Sequence, residues 1–274
     1  MANVFWLGGG CGSGKTTIAR VVTRRLDLRL YPVDGHTYAH AERSRQGGFP
    51  LSKASAEMTP EQRWSRTPAE LAQWFAAVAA ERLELILADL RDLGAGPTVV
   101  AEGPQLLPDL IAPLMQTPEH GLWLLPTPEF GHQGVAGRRA GGLTGQAAQR
   151  RRHRDVLLTE MNRQQVTRHG LPSATVDGNR SLADTIDMVA ERLQRLPGGL
   201  VRAADGDQRR VIRQAENAVV VRQLLGWWAD LGPERMPDPP PYPFSCECGT
   251  SGCEQTVTMS VIEYQRRSAD GPVT

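Results

Sequence analysis

The chain has almost no lysine. Only Lys15 and Lys53 are present, and the rest of its 31 basic residues are arginine, a bias expected of GC-rich coding. It also lacks a charge excess: 31 basic residues face 30 acidic ones, for a net charge of +1. That balance argues against a protein whose main business is coating nucleic acid, although local basic clusters remain. No apolar run approaches the roughly 18 residues that span a bilayer. The opening Met1-Ala2-Asn3-Val4-Phe5 has neither the basic start nor the cleavage site of a signal peptide. Nor is there a distributed set of cysteines. Of Cys11, Cys246, Cys248 and Cys253, the last three crowd together, which is no disulfide framework and fits a cytoplasmic location. Glycine (28) and proline (20) among 274 residues stay below the roughly 25–30% that marks low complexity. What is there is 40% apolar sequence, enough for a sizeable core. The length suits a domain of about 200 residues and a smaller one.

Short apolar runs alternate with helical patterns. Val4-Phe5-Trp6-Leu7 reads as a buried strand, followed by Gly8-Gly9-Gly10. Ile18, Val21, Val22 and Leu26 then recur at helical spacing. Further strands are expected at 28–33, 98–102, 121–125 and 174–177. Helices are expected at 68–93, 106–115, 146–169 and 182–195. Thr59-Pro60-Glu61-Gln62 and Thr67-Pro68-Ala69-Glu70 look like capping boxes with proline at the first helical position. Residues 37–66 otherwise show little periodicity, and 131–145, with six glycines, read as a mobile segment. The alternation predicts an α/β fold with three layers, built on a five-stranded parallel sheet with right-handed crossovers. Pro197-Gly198-Gly199 marks the expected boundary between residues 1–196 and a C-terminal region, 197–274. That region holds a helix at 207–230 with Val211, Ala215, Ala218, Val219, Arg222 and Leu225 along it. An extended linker from Pro237 to Pro243 and a short helix at 258–267 follow.

Gly9-Gly10-Cys11-Gly12-Ser13-Gly14-Lys15-Thr16 fits G-x-x-x-x-G-K-[ST]. Glycines let backbone N–H groups curl around a phosphate with no Cβ in the way. The helix that starts near Lys15 directs its positive end at the anion. Lys15 supplies a point charge for β- and γ-oxygens, and the Thr16 hydroxyl suits Mg²⁺. Thr17 extends the nucleotide-binding set, and Cys11 fills the loop. No N-K-x-D follows a strand, which argues against a GTPase.

On the acceptor side, Asp34 lies at the carboxyl end of the second strand, where doubly wound sheets form their ligand crevice. It can orient a hydroxyl and take its proton late; the bland alternative is a turn-forming Asp-Gly. His36 and His40 read as polar surface. Glu102 ends the third strand and suits Mg²⁺, directly or through water, or a plain loop role. Arg150-Arg151-Arg152-His153-Arg154 stacks like charges at i,i+3 and i,i+4, which costs a few tenths of a kcal/mol unless an anion offsets it. Arg150, Arg151 and Arg154 are read as a lid over the transferring phosphate; a solvated face and an RNA-binding stripe remain alternatives.

Together, Gly9-x-x-Gly12-x-Gly14-Lys15-Thr16, Asp34, the arginine lid and the last helix capped after Val176-Asp177 resemble a small P-loop kinase. Nucleoside monophosphate kinases, shikimate kinase and chloramphenicol phosphotransferase share this plan. The resemblance covers about residues 1–196, and only the phosphate loop is highly specific. It implies that the lid arginines clamp ATP phosphates. It also implies that the loop Asp177-Gly178-Asn179-Arg180 touches the adenine, through Asn179 and Arg180. Between residues 34 and 66 no monophosphate-binding arginine stands out, and no shikimate-type Gly-Gly-Gly follows the third strand, so the acceptor stays open.

The tail Cys246-x-Cys248-x4-Cys253, followed by Glu263-Tyr264-Gln265-Arg266, is similar to a short tail on uncharacterised proteins from GC-rich genomes. Three thiolates suit Zn²⁺, whereas a closed structural site wants four ligands and the last histidine is His169. The expectation is an ATP- and Mg²⁺-dependent kinase for a small hydroxylated or phosphorylated molecule. Possible homodimerisation is assigned to the C-terminal region. The rival is a nucleotide-dependent ATPase switch that works on a protein or nucleic-acid partner through the tail. A polynucleotide kinase using the Arg150–Arg154 stripe is a third reading.

Overall fold

A computed structural model describes residues 3–131, 145–232 and 238–274. Five parallel strands form the central sheet: β1 (Val4–Gly9), β2 (Arg29–Pro32), β3 (Val99–Glu102), β4 (Gly121–Pro126) and β5 (Ser173–Val176), in the order β2-β3-β1-β4-β5. The residues of β1 are buried on both faces, as in a sheet covered by helices on each side. Phe5 and Leu7 point to one face, against α1 (Lys15–Arg25) and α8 (Leu182–Gln194), through Ile18, Val22, Val189 and Leu193. Val4 and Trp6 point to the other, against α5 (Pro68–Asp92), α6 (Pro108–Ile111) and α7 (Gly145–His169). Each fully buried aliphatic side chain of this kind stabilises the fold by about 1.5–3 kcal/mol.

The weakly periodic stretch after β2 is helical: α2 (Thr37–Arg45), α3 (Pro50–Glu57) and α4 (Pro60–Trp64). Its buried residues are polar ones, His40 and Ser44 on α2 and Ser52 on α3, so no apolar stripe marks these helices in the sequence. The capping boxes expected at Thr59 and Thr67 are both formed. Most of the glycine-rich segment, 132–144, lies outside the described residues, as do residues 233–237, of which Pro237 begins the expected linker.

Beyond residue 196 the chain turns back onto the body. The Val201 carbonyl accepts from Thr98 N (2.8 Å), and Ala203 N donates to Asp27 O (2.9 Å). Helix α9 (Gly206–Leu231) then lies along the edge strand β2. Val211, Ala215, Ala218 and Arg222 face solvent, and the buried set is Ile212, Arg213, Glu216 and Asn217. Arg213 donates to the carbonyls of Thr23 (3.1 Å) and Leu28 (2.8 Å) and pairs with Glu216 (2.6 Å). Glu216 accepts from Leu30 N (2.7 Å), which blocks an edge that would otherwise offer open backbone groups. The expected proline linker ends early. Strand β6 (Tyr242–Ser245) already includes Pro243 and pairs antiparallel with β7 (Thr256–Met259). With α10 (Val261–Asp270) this hairpin encloses a small core of Phe244, Met259, Val261, Tyr264 and Val273.

Candidate functional site

The loop between β1 and α1 is shaped by its glycines. Gly12 and Gly14 both have φ of 82°, the left-handed region that L side chains rarely adopt. A Cβ on Gly10 would lie 2.4 Å from Thr159 Oγ1 and 2.7 Å from Pro126 Cδ, so the loop runs directly against α7 and the end of β4. Lys15 is buried, and its Nζ donates to Gly10 O (2.7 Å) and Ser13 Oγ (3.3 Å), arching back over the loop. Thr16 and Thr17 are exposed at the first turn of α1. The Thr16 hydroxyl lies 3.3 Å from Glu102 Oε2, and Glu102 is buried at the end of β3. Strand register explains the meeting: Leu7, Glu102 and Pro32 are aligned on three adjacent strands.

Asp34 follows Pro32 in a 3-10 turn, Val33–His36, and is exposed at the same edge. Gln105 Nε2 donates to Asp34 Oδ1 at 2.6 Å and fixes the carboxylate. His40, by contrast, is buried, and His36 is half-buried. His40 Nε2 lies 2.8 Å from Asp89 Oδ2, and Arg82 Nη2 lies 3.1 Å from His40 Nδ1. Tyr31 donates to Asp89 (2.7 Å), and Arg43 also reaches Asp89. Burial pushes the His36 imidazole down to about 4, and His40 is lowered by the same cause. Burial alone would raise Asp89, but hydrogen bonds from His40, Tyr31 and Arg43 hold it well below the usual carboxylate range. His36, His40 and Asp89 come within metal-binding distance of one another. With both nitrogens of His40 engaged and two guanidinium groups on the cluster, it reads as a network that props the Asp34 turn, not as a cation site.

The basic run lies on α7. Arg154 pairs with Asp155 and sits over the rings of Trp64 (5.2 Å) and Phe75 (5.7 Å). Arg151 Nε is 4.0 Å from Asp155 Oδ2, and Arg150 donates to Trp64 O (2.6 Å). Asp155 is buried beside the phosphate loop, where it helps burial push the Cys11 thiol up to about 11. Sequence reasoning does not single out Asp155 or Thr159; the one signal is the acidic residue that ends the arginine run. A cavity of about 60 Å³ between the loop and α7 is lined by Cys11, Pro126, Thr127, Asp155 and Thr159. It has room for a few water molecules.

The loop 177–180 joins β5 to α8. Asn179 donates from N (3.0 Å) and Nδ2 (2.8 Å) to the Asp177 carboxylate, and Arg180 donates to Met188 Sδ (2.9 Å). Leu182, half exposed, comes within 3.8 Å of the position a Gly14 Cβ would take, and Phe130 abuts Gly178. Far from this edge, the thiols of Cys246, Cys248 and Cys253 form a separate cluster.

No protein-family model and no curated protein matches the chain. Among solved structures, the chain is 21% identical to TT1252 from Thermus thermophilus, with a TM-score of 0.45 over 72% of this chain and 99% of that one. It is 16% identical to shikimate kinase from Acinetobacter baumannii, a complex with shikimate, with a TM-score of 0.35 over 70% of this chain and 92% of that one. Likenesses this loose assign no substrate. The parallel sheet and the loop between β1 and α1 define a P-loop-type α/β fold. Among the described residues no helix is long and apolar enough to cross a membrane.

Proposed function

We propose that the protein is an ATP- and Mg²⁺-dependent phosphotransferase acting on a small hydroxylated or phosphorylated molecule. One observation carries the reading. The carboxyl ends of three adjacent strands bring Asp34, Glu102 and the phosphate loop to one edge of the sheet.

The cradle fits a polyphosphate. Its left-handed glycines leave the backbone amides uncovered, and the N-terminus of α1 adds a positive dipole end. Thr16 and Glu102 offer the hydroxyl and carboxylate oxygens that suit Mg²⁺. When bound, the metal supplies charge neutralisation on the phosphates. Lys15 is placed to exchange its bond with Gly10 O for phosphate oxygens. Asp34, oriented by Gln105, holds the acceptor hydroxyl and takes its proton as the bond to phosphorus forms. Leu182 and Phe130, with the Asn179–Arg180 loop between them, supply an apolar flank for the base. Arg150, Arg151 and Arg154 stabilise charge on the transferring group by leaving Trp64 O and Asp155.

The switch reading has one observation in its favour: α9 touches the acceptor turn. A Cβ on Gly35 would sit 2.9 Å from Val219 Cγ1, and the Gln223 amide, its nitrogen toward the turn, donates to Asp34 O (3.1 Å). Asp34→Asn separates the two. A phosphotransferase loses transfer to its acceptor and keeps ATP affinity, whereas a switch keeps both ATP affinity and hydrolysis.

A further inference from the structure

The three thiols of the tail are not used by any step of phosphoryl transfer. The Sγ atoms of Cys246, Cys248 and Cys253 lie within 4.8 Å of one another, and none is in a disulfide. Cys246 directly follows β6, and the other two lie in the loop that leads to β7.

The loop is built to hold them together. Gly249 (φ 75°) and Gly252 (φ 66°) reverse the chain in the left-handed region. Gly249 also packs so closely on Gly206 at the start of α9 that a Cβ would meet Gly206 O at 2.6 Å. Cys246 N donates to Gln255 O (3.1 Å), and Cys253 N donates to Thr250 O (3.3 Å). Thr250 N points at Cys248 Sγ (3.4 Å), an arrangement that favours thiolate over thiol.

We propose that Cys246, Cys248 and Cys253 form a three-thiolate site for a soft divalent cation, Zn²⁺ above all, with an exogenous donor such as water in the fourth position. A tetrahedral zinc with bonds of about 2.3 Å spaces its sulfurs about 3.8 Å apart, inside the 4.8 Å within which the three Sγ atoms lie. Thiolates select Zn²⁺ over the hard, oxygen-seeking Mg²⁺ of the phosphate site. No fourth histidine, cysteine or carboxylate among the described residues joins the cluster. Glu254, the neighbour of Cys253, is instead paired with Arg25 at 2.6 Å. Binding releases the thiol protons to solvent and leaves an anionic centre. Arg24 and Arg209, which donate to Gln255 O (3.1 Å) and Gly249 O (2.8 Å), stand beside it.

The site is a clasp. Asp27, just past α1, accepts from Ser251 Oγ and from Gly252 N (2.9 Å) and pairs with Arg209 (3.5 Å). The thiol loop therefore seats on the far end of the helix that begins at Lys15. The core beneath it is small, five buried residues with partly buried hydrophobics of α9 and the hairpin packed against them among the described residues, so a metal in the loop adds to what fixes the tail.

The test uses the full chain, purified under reducing conditions and analysed for metal by mass spectrometry. Zinc in a fixed ratio to protein is expected, lost in Cys246→Ser and Cys248→Ser and retained in Asp27→Asn, which removes a seat and no ligand. Because a serine variant can misfold, the wild-type chain is also stripped and reloaded. Added Zn²⁺ should raise its unfolding temperature, and Co²⁺ should give thiolate-to-cobalt charge-transfer absorption. A reduced chain that retains no zinc and gives no such absorption with Co²⁺ overturns the proposal. So does zinc content unchanged in both cysteine variants. Lys15→Ala should load normally, which keeps this outcome separate from that of the phosphotransferase reading.

Discussion

The Thr16 hydroxyl lies 3.3 Å from the Glu102 carboxylate, which ties the first turn of the phosphate-loop helix to the end of the neighbouring strand. If this pair serves Mg²⁺, then Glu102→Gln should raise the Mg²⁺ concentration needed for half-maximal activity. Interactions with a charged group are worth about 1.5–3 kcal/mol, so a shift of about 10- to 100-fold is expected. A Mg²⁺ titration of turnover at fixed ATP reads it, and an unchanged midpoint goes against the assignment.

Gly10 has no room for a side chain, because Thr159 and Pro126 lie where a Cβ would go. Gly10→Ala should displace the loop, cost about 1–3 kcal/mol of stability and weaken nucleotide binding. Denaturant midpoints and calorimetric ATP titration measure the two effects. Normal affinity in a folded variant would show that the loop does not depend on this contact.

The histidine network sets a pH dependence. His36 faces Asp89 (α5), His40 (α2), Arg222 (α9) and Arg82 (α5), and burial holds it at about 4, against 6.5 ordinarily. Its neutral form is favoured by folding, so its contribution is present above pH 6.5 and is lost as pH falls from 6.5 toward 4. In that window the unfolded chain binds the extra proton, and stability falls by up to about 1.4 kcal/mol per pH unit per histidine. Urea midpoints between neutrality and mild acid should fall with acid in the wild type. They should fall less steeply in His36→Asn. Equal slopes would contradict this.

Glu247 is fully buried in the tail. It accepts from Asn217 Nδ2 (2.7 Å), Val273 N (2.9 Å) and the Tyr264 hydroxyl (2.5 Å). Glu247→Ala leaves three buried donors without this acceptor and should destabilise the tail by on the order of 3 kcal/mol. Limited proteolysis between α9 and α10 checks it: faster cleavage there than in the wild type is expected.

The central strands β1, β3 and β4 and the phosphate loop are legible in the sequence because they rest on local signals, namely short apolar runs buried on both faces and a fixed glycine spacing. Asp34 and Glu102 are legible as strand-end carboxylates. That Glu102 meets Thr16 comes from sheet register, which no local pattern states. Helices α2 and α3 escape notice because they bury His40, Ser44 and Ser52 where an amphipathic pattern would have apolar residues. Helix α9 presents the opposite case. Val211 and Ala215 look like a packing stripe, yet Arg213, Glu216 and Asn217 are buried because β2, Thr23 and Ser245 offer them backbone partners. Asp155 is hidden among arginines, and its burial against the phosphate loop is purely tertiary.

The most direct test of the central claim is transfer of the γ-phosphate from labelled ATP, with Mg²⁺, into a metabolite extract by the wild type and by Lys15→Ala. The account predicts a labelled small molecule that forms with the wild type and not with the variant, and the identity of that molecule names the acceptor. Labelled free phosphate alone, or no turnover by a chain that demonstrably binds ATP, would contradict it.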